Sequence, residues 1–265
     1  MDNRPIGIMD SGIGGLTVAR VLHEKYRKER IVFIGDTARN PYGERTAEEI
    51  EAFAGEMKEF LLAKNVKMIL IACNTISFNV SKAYYDAAVP IVGMSSDVPI
   101  PGDTKKLGIF ATAATIRSHC HKKQFKEKNP ELEIVEIPIE KLAKAVEYGA
   151  SKEECKRIIT EAVNSYKAYD IDVAVLGCTH YPLVESPFRE VLPQVRFIDP
   201  AESTVMNAMG IMKGKECLSE KQGQNEFFFT KDKEKSVDIV KKIFGKEAAV
   251  KDIVFKECEL WELSF

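Results

Sequence analysis

The chain has 265 residues, 45% of them hydrophobic and 29% charged, and a formal net charge of −2 at pH 7. This length can bury one large hydrophobic core or two of ordinary size. The nearly balanced charge argues against the basic surface that nucleic-acid-binding proteins present. No apolar run reaches the roughly 20 residues that a membrane-spanning helix needs, and the N-terminus has no signal-peptide pattern. We therefore expect a cytoplasmic protein without a nucleic-acid or membrane partner.

The first part of the chain alternates short apolar runs with longer amphipathic segments, which is the pattern of βαβ units in a parallel sheet. Helices are predicted from about Leu16 and over Ala47–Lys64, where the apolar residues share one face. The predicted strands are Pro5–Met9, Ile31–Ile34, Lys67–Ala72 and Ile91–Met94.

A second series of the same kind follows a linker that is marked by Pro99 and by the turn Pro101-Gly102. The tail from about Val205 contains helical pieces and the apolar run Phe227–Phe229. The second series predicts strands at Leu107–Phe110, Glu133–Ile137, Val173–Leu176 and Arg196–Ile198, and helices at Thr115–Glu127 and Ser151–Tyr166. Two similar α/β units are the simplest interpretation.

Two of the six cysteines occupy matching positions in these units. Cys73 follows an apolar strand and precedes Asn74-Thr75, and Cys178 follows another and precedes Thr179-His180. In open parallel sheets, ligands bind beyond the carboxyl ends of the strands. A single cysteine at a strand end is most often a small buried hydrophobe, and that alternative stays open for each alone. The matched pair favours one cleft with a thiol on either side of a small molecule.

Two thiols that face each other across a carboxylic acid suit the inversion of its α-carbon. One thiolate removes a proton from one face, and the other thiol delivers a proton to the opposite face. His180 beside Cys178 and Asp10 near Cys73 are candidates to orient or shuttle protons. Groups that could hold the carboxylate are Asn74, Thr75, Thr179 and backbone N–H groups.

Other interpretations stay open at this point. The turn Asp10–Gly15 has no nucleotide-binding spacing; its N–H groups could bind a small carboxylate, or it is only a tight turn. Cys178 and His180 are too few ligands for zinc, so no metal is predicted, and the absence of a CxxC pair argues against redox chemistry. A Cys–His hydrolase is an alternative that leaves Cys73 without a role. A non-catalytic carboxylate-binding module is another.

Four ordered motifs resemble those of glutamate racemases, in the aspartate/glutamate racemase family. They are Ile8–Leu16, Gly35-Asp36-Thr37 with Asn40-Pro41-Tyr42-Gly43, Ala72–Thr75, and Leu176–Leu183. The resemblance covers most of the first 205 residues. The chain departs from the family pattern at Ser95–Gly102, where a Glu-Pro-Gly segment is usual. Substrate identity is therefore a less direct inference than racemase chemistry.

The resemblance implies an α/β fold of two pseudo-symmetric domains, each a mostly parallel sheet flanked by helices, with the active site in the cleft between them. Residues 1–97 plus 206–265 would form a discontinuous first domain, and residues 98–205 the second. The implied enzyme needs no cofactor, forms a homodimer in many members, and supplies D-glutamate for peptidoglycan in the cell wall. An aspartate racemase or related small-acid racemase of the same fold is the nearest alternative.

The resemblance also assigns residues. Cys73 and Cys178 would be the proton donors and acceptors, with Asp10 and His180 assisting them. Asp36 and Glu147 match further assisting acids of the family. The implied substrate contacts are Asp10, Ser11, Tyr42, Gly43, Asn74, Thr75, Thr115, Thr179 and His180.

Overall fold

A computed structural model describes residues 1–245 and 253–260. The strands are Ile6–Asp10 (β1), Ile31–Gly35 (β2), Met68–Ile71 (β3), Ile91–Val92 (β4), Lys106–Ala111 (β5), Glu133–Pro138 (β6), Val173–Gly177 (β7), Arg196–Ile198 (β8), Asn225–Phe229 (β9) and Ile253–Glu257 (β10). The α-helices are Leu16–Lys25 (α1), Ala47–Ala63 (α2), Asn74–Asn79 (α3), Ala113–Ser118 (α4), Cys120–Lys128 (α5), Leu142–Glu147 (α6), Lys152–Ser165 (α7), Glu185–Val191 (α8), Ala201–Gly214 (α9) and Lys233–Phe244 (α10). Short 3₁₀ helices lie at Tyr42–Glu44, Lys82–Tyr85, Ala168–Asp170 and Tyr181–Val184.

The described strands form two sheets, in the orders β10-β9-β2-β1-β3-β4 and β6-β5-β7-β8. Neighbouring strands in both sheets are parallel. The predicted α/β class with two parallel sheets is therefore confirmed. Each strand predicted before residue 200 has a counterpart in the structure to within two residues. Within the described part of the chain, no helix has both the length and the apolar character needed to cross a membrane.

Both faces of each sheet are covered. In β1, Ile8 packs in a core with residues of α1 and α9, whereas its neighbour Met9 packs in a second core with residues of α2. In β5, Ile109 and Phe110 likewise belong to different cores. This alternation follows from the two-residue period of a strand. Coverage on both sides explains why β1, β2 and β7 are buried along their whole length and read as continuous apolar runs.

The tail of the chain returns to the six-stranded sheet. The run Phe227–Phe229 lies in β9, which pairs with β2, and β10 pairs with β9. Val205 and Met209 of α9 pack in the same core as α1. The division of the chain at 97/98 and 205/206 stays a prediction, and α9 begins at Ala201, before the second of these boundaries.

The prediction of one helix over Thr115–Glu127 is wrong. His119 adopts a left-handed conformation with φ of 53°, which ends α4 and begins α5. Ser118 accommodates this break, because its hydroxyl donates to Thr115 O at 2.7 Å and accepts from Cys120 N at 3.3 Å. These bonds pair backbone groups that a helix end leaves without partners. The helix at Leu142–Glu147 was not predicted at all.

A buried ion pair fastens the tail to the start of the chain. Lys67 Nζ lies 2.6 Å from Glu29 Oε2, and the two side chains are 1% and 3% exposed. The ammonium also donates to the carbonyl oxygens of Asp2 and Cys217 and to Ser219 Oγ. Glu29 accepts from the N–H and the hydroxyl of Ser219. These hydrogen bonds offset the cost of burying both charges.

We expect Lys67→Met to lower the free energy of unfolding by about 3–5 kcal/mol, because the Glu29 carboxylate then stays buried without its counter-charge. Replacing both groups, as Lys67→Met with Glu29→Leu, should recover much of the loss. Lys25→Met breaks an exposed ion pair with Glu202 and should leave the unfolding midpoint nearly unchanged. Urea unfolding followed by far-UV circular dichroism measures all three variants. Equal effects of Lys67→Met and Lys25→Met would contradict this account.

Candidate active site

A small cavity lies between the carboxyl ends of strands from the two sheets, where parallel sheets place their ligands. Its water-accessible volume is about 10 Å³, room for a single water molecule, so the walls must separate to admit a larger ligand. Residues that follow strands of the six-stranded sheet line one wall: Ser11, Asn40, Pro41, Tyr42, Gly43, Cys73, Asn74 and Thr75. The other wall, from the four-stranded sheet and its helices, is Thr112, Ala143, Cys178, Thr179 and His180.

Cys73 lies two residues beyond β3, at the start of α3, and is 5% exposed. Its Sγ is 3.6 Å from Ser11 Oγ. Burial first, and then the nearby Asp10 carboxylate, raises the pKa of the Cys73 thiol to about 12. Cys73 is therefore a protonated thiol at neutral pH.

Cys178 follows β7 directly, and its surroundings differ from those of Cys73. Cys178 Sγ is 3.8 Å from His180 Nδ1, and His180 Nε2 is 2.6 Å from Glu147 Oε2. Burial alone would lower the pKa of His180, but the hydrogen bonds to Cys178 and Glu147 outweigh it and hold that pKa well above its ordinary value. A protonated imidazole donates to both neighbours. Cys178 thus has a hydrogen-bond donor beside it.

The N–H groups of the glycine-rich turn bind carboxylates of the protein itself. Gly12 N donates to Asp10 Oδ2 at 3.0 Å, and Ile13 N donates to Glu147 Oε2 at 3.1 Å. Thr179 Oγ1 lies 3.4 Å from Asp10 Oδ1, which connects the two walls a second time. Burial raises the pKa of the Asp10 carboxyl. Two N–H groups that were candidates to bind a ligand are thus already hydrogen-bonded to carboxylates of the protein.

Two glycines of this turn are required by the close approach of side chains from elsewhere in the chain. A Cβ at Gly12 would lie 2.5 Å from Asn40 Nδ2 and 2.6 Å from Glu147 Oε2. A Cβ at Gly14 would lie 2.5 Å from His180 Nδ1. Any larger residue at either position would displace the groups that surround the cavity.

Three threonine hydroxyls join the walls at another point. Thr75 Oγ1 is 2.8 Å from Thr112 Oγ1 and 3.4 Å from Thr115 Oγ1, and Thr112 Oγ1 is 3.1 Å from Thr115 Oγ1. Thr112 is also the N-cap of α4, where its hydroxyl accepts from Thr115 N. Thr112 lines the cavity, whereas the predicted contact Thr115 lies behind it.

The Tyr42 hydroxyl is not free to contact a ligand. It donates to the Asp36 carboxylate, and burial raises the pKa of Tyr42 well above its ordinary value. Asp36 also pairs with Arg39 Nε at 2.6 Å and accepts from Thr230 Oγ1 at 2.8 Å. Asp36 does not line the cavity. Its visible role is to hold the loop that carries Tyr42.

The Asn74 amide is oriented by a buried histidine. Asn74 Oδ1 lies 3.1 Å from His121 Nε2, and His121 Nδ1 lies 2.7 Å from Ser96 Oγ. Burial lowers the pKa of His121 to about 4, so the ring is neutral. Because an amide oxygen only accepts, Nε2 carries the proton and Nδ1 accepts from Ser96. Asn74 Nδ2 is then left without a partner among the residues that the structure describes.

Nine of the eleven predicted catalytic and substrate-contacting residues line one cavity, whereas Asp10, Thr115 and the two further acids Asp36 and Glu147 do not. Asp10 and Thr115 are buried behind its lining. Four lining residues had no predicted role, namely Asn40, Pro41, Thr112 and Ala143. Asn40 stands inside a quoted motif, so its signal was present; Ala143 lies on the unpredicted helix α6. Across the described ranges, no three His, Cys, Asp or Glu side chains are grouped to hold a metal ion.

The fold and the site together define an amino-acid racemase built from two parallel α/β sheets. The chain belongs to the Asp/Glu/Hydantoin racemase family, whose sequence profile matches residues 6–208. This membership confirms the resemblance seen in the sequence.

Individual relatives agree with this assignment. The chain is 42% identical over 218 residues to the glutamate racemase of Lactococcus lactis subsp. cremoris, covering 77% of this chain and 78% of the relative. The glutamate racemase of Francisella tularensis, solved in complex with D-glutamate, superposes with a TM-score of 0.86 at 30% identity, covering 98% of this chain and 99% of that one. Isoform RacE1 from Bacillus anthracis superposes with a TM-score of 0.83 at 31% identity, covering 93% and 96%.

His121 predicts a pH dependence of stability. Its pKa is about 4 in the folded protein and about 6.5 in an unfolded chain, so protons bind the unfolded state more readily. The contribution of the neutral His121 ring to the free energy of unfolding is complete above the unfolded pKa. It is lost as pH falls toward the folded pKa, and the free energy of unfolding is lower by about 2 kcal/mol at pH 5. His121→Gln does not titrate and should be less sensitive to acid than the wild type. Urea unfolding at several pH values measures the difference, and a pH-independent difference would contradict the prediction.

Proposed function

We propose that this protein is a glutamate racemase, which interconverts L- and D-glutamate by proton transfer between the α-carbon and two thiols, without a cofactor. The observation that carries the proposal is that Cys73 and Cys178, one from each sheet, line the same cavity. Both are free thiols. The choice of glutamate is supported by the relative from Lactococcus lactis and by the D-glutamate bound in the Francisella tularensis structure.

The chemistry balances without any further reagent. A thiolate removes the α-proton, so that a C–H bond breaks, an S–H bond forms, and the electron pair passes to the α-carbon and its carboxylate. The opposite thiol then protonates the other face of the carbon and becomes a thiolate. Proton count and oxidation state are unchanged, and the same two groups run the reverse reaction with their roles exchanged.

The surroundings of the two sulfurs indicate which one begins as the acid. Cys73 is a thiol at neutral pH, since its pKa is raised to about 12, and it is ready to donate. His180 is protonated and lies beside Cys178, where it can donate a hydrogen bond to the sulfur. After turnover the negative charge lies on Cys73, where the Ser11 hydroxyl and the Ile76 N–H can donate to it.

The remaining site residues orient these groups or bind the substrate. In the proposal, Glu147 fixes the His180 ring, and Asp10 assists Cys73 from behind the lining. Thr115 does not contact the substrate directly and acts through Thr75 and Thr112. The proposed substrate contacts come from the predicted set and are Ser11, Tyr42, Gly43, Asn74, Thr75, Thr179 and His180. Because the Tyr42 hydroxyl is bound to Asp36, the contribution of Tyr42 is its ring and backbone.

The biological role rests on the family resemblance. We propose that the enzyme supplies D-glutamate for peptidoglycan in the cytoplasm, and that the two sheets belong to the two domains predicted from the sequence. Aspartate is the nearest alternative substrate. A homodimer stays a prediction.

A second candidate function is favoured by one observation. Cys178, His180 and Glu147 form a hydrogen-bonded chain of thiol, imidazole and carboxylate, which is the arrangement of a Cys–His nucleophile. A hydrolase of this kind would use Cys178 alone and would form a thioester. It gives no role to the Cys73 thiol on the opposite wall.

Circular dichroism of the substrate tests the proposed activity. Purified protein without added cofactor should abolish the signals of L-glutamate and D-glutamate alike, because the enantiomers have equal free energy and reach an equal mixture. The L-aspartate signal should persist. Decay with aspartate alone would change the substrate and keep the mechanism, whereas no decay with any of the three would refute the racemase. A racemase could instead use bound pyridoxal phosphate, which would show as visible absorbance. A protein spectrum without that absorbance excludes this cofactor.

Cysteine variants test the mechanism. We expect Cys73→Ala and Cys178→Ala each to slow racemisation by about 10²–10⁴-fold in both directions, since each removes one of two proton-transfer groups. Cys155→Ala, which removes a buried thiol in α7, is the matched control and should stay active. A Cys73→Ala protein with full activity in both directions would rule out the two-thiol mechanism. A thioester on Cys178, seen by mass spectrometry, would then favour the hydrolase.

A further inference from the structure

Asn40 is a buried amide in the cavity wall with one atom unpaired. The residue is 8% exposed and lines the cavity between the two thiols. Its Nδ2 donates to the carbonyl oxygen of Ser11 at 2.9 Å. Its Oδ1 is buried and has no hydrogen-bond partner within the described residues.

The Ser11 bond determines which end of the amide is available. A backbone carbonyl oxygen only accepts, so the atom that faces it must be the NH₂ group. The amide therefore cannot turn over without losing this bond, and Oδ1 stays the unpaired end. A buried acceptor without a donor is unfavourable, and a ligand that supplies a donor removes that cost on binding.

An α-amino acid offers one suitable donor. Its carboxylates only accept hydrogen bonds at neutral pH, and the α-ammonium group is the donor. Asp10, the expected anionic partner, lies behind the lining and already accepts from Gly12 N and Thr179 Oγ1. The wall hydroxyls of Thr75 and Thr112 are paired with each other. Asn40 Oδ1 differs from these groups because it is a buried acceptor without any hydrogen-bond partner among the described residues.

We propose that Asn40 Oδ1 binds the α-ammonium group of the substrate and so distinguishes an amino acid from the dicarboxylic acid that lacks the amino group. Asn74 has the complementary arrangement, because its unpaired atom is the donor Nδ2, which suits a carboxylate. Together the two amides match the opposite charges on the α-carbon. The inference rests on the proposed function only for the identity of the substrate's side chain.

The test compares glutamate with glutarate, which keeps both carboxylates and lacks the ammonium group. We expect Asn40→Ala to raise the KM for glutamate about tenfold, the usual effect of losing a hydrogen bond to a charged group. The inhibition constant of glutarate, measured as a competitive inhibitor, should change by less than about twofold. Equal weakening of both ligands would overturn the proposal, because it would show only that the loop had moved.

Two further variants keep the result interpretable. Asn40→Leu has nearly the shape of asparagine and replaces the Ala variant if that protein loses thermal stability. Asn79→Ala is the matched control, because Asn79 Nδ2 also donates to a backbone carbonyl, that of Thr75, but the residue does not line the cavity. Asn79→Ala should change the KM for glutamate and the inhibition constant of glutarate by the same factor. A glutamate-selective loss in Asn79→Ala equal to that in Asn40→Ala would overturn the assignment.

Failure of the proposed function is distinguishable from failure of this inference. If the wild type racemises aspartate and not glutamate, the same comparison is made with aspartate and succinate, which differ by the same ammonium group. If it racemises neither, calorimetric binding of the amino acid and its deamino analogue gives the two affinities directly. Loss of selectivity in Asn40→Ala supports the inference in each case, and unchanged selectivity overturns it.

Discussion

The Glu147 carboxylate is the group on which the arrangement of the site depends. It joins His180, which follows β7, to the backbone of Ile13, which follows β1. Both partners are buried, so this carboxylate would be costly to leave without them. The two strands belong to different sheets, and the bond therefore sets the position of one wall relative to the other. Together with the hydrogen bond to Cys178, it also raises the pKa of the imidazole, which stays protonated. Glu147 thus contributes to both the geometry and the charge of the site.

This constraint explains the glycine-rich turn better than ligand binding does. Gly12 and Gly14 leave room for Glu147, Asn40 and His180 to approach the backbone, and the N–H groups thereby exposed pair with carboxylates of the protein. In sequence the same turn was compatible with a binding site for a small carboxylate or with a tight turn alone. Local patterns cannot choose between these, because the groups that fill the space are distant in sequence; Glu147, for example, lies 134 residues from Ile13.

The parts of the structure that were predictable depend on short-range regularities. Apolar runs of strand length placed the strands, and the rule that parallel strands present their carboxyl ends at one edge brought Cys73 and Cys178 together. The break at His119 was missed because the apolar residues keep a helical period across it. Only the hydrogen bonds of the Ser118 side chain, which no periodicity reveals, accompany the end of one helix and the start of the next. The unpaired atoms of Asn40 and Asn74 were beyond prediction, since each depends on a partner distant in sequence that occupies the other end of the amide.

The two halves of the fold are alike, yet their thiols are not equivalent. In the proposed mechanism Cys73 begins protonated, buried near the Asp10 carboxylate, and Cys178 lies beside an imidazolium. Such asymmetry cannot favour one enantiomer at equilibrium, because mirror-image amino acids have equal free energy in water. The equilibrium constant of one requires equal kcat/KM in the two directions, whatever the enzyme. The different environments of the sulfurs can therefore appear only as matched differences in kcat and KM, with the enantiomer that binds more tightly turning over more slowly. The pseudo-symmetric frame supplies two opposed thiols, and the unequal polar groups around them decide which is ready to act first.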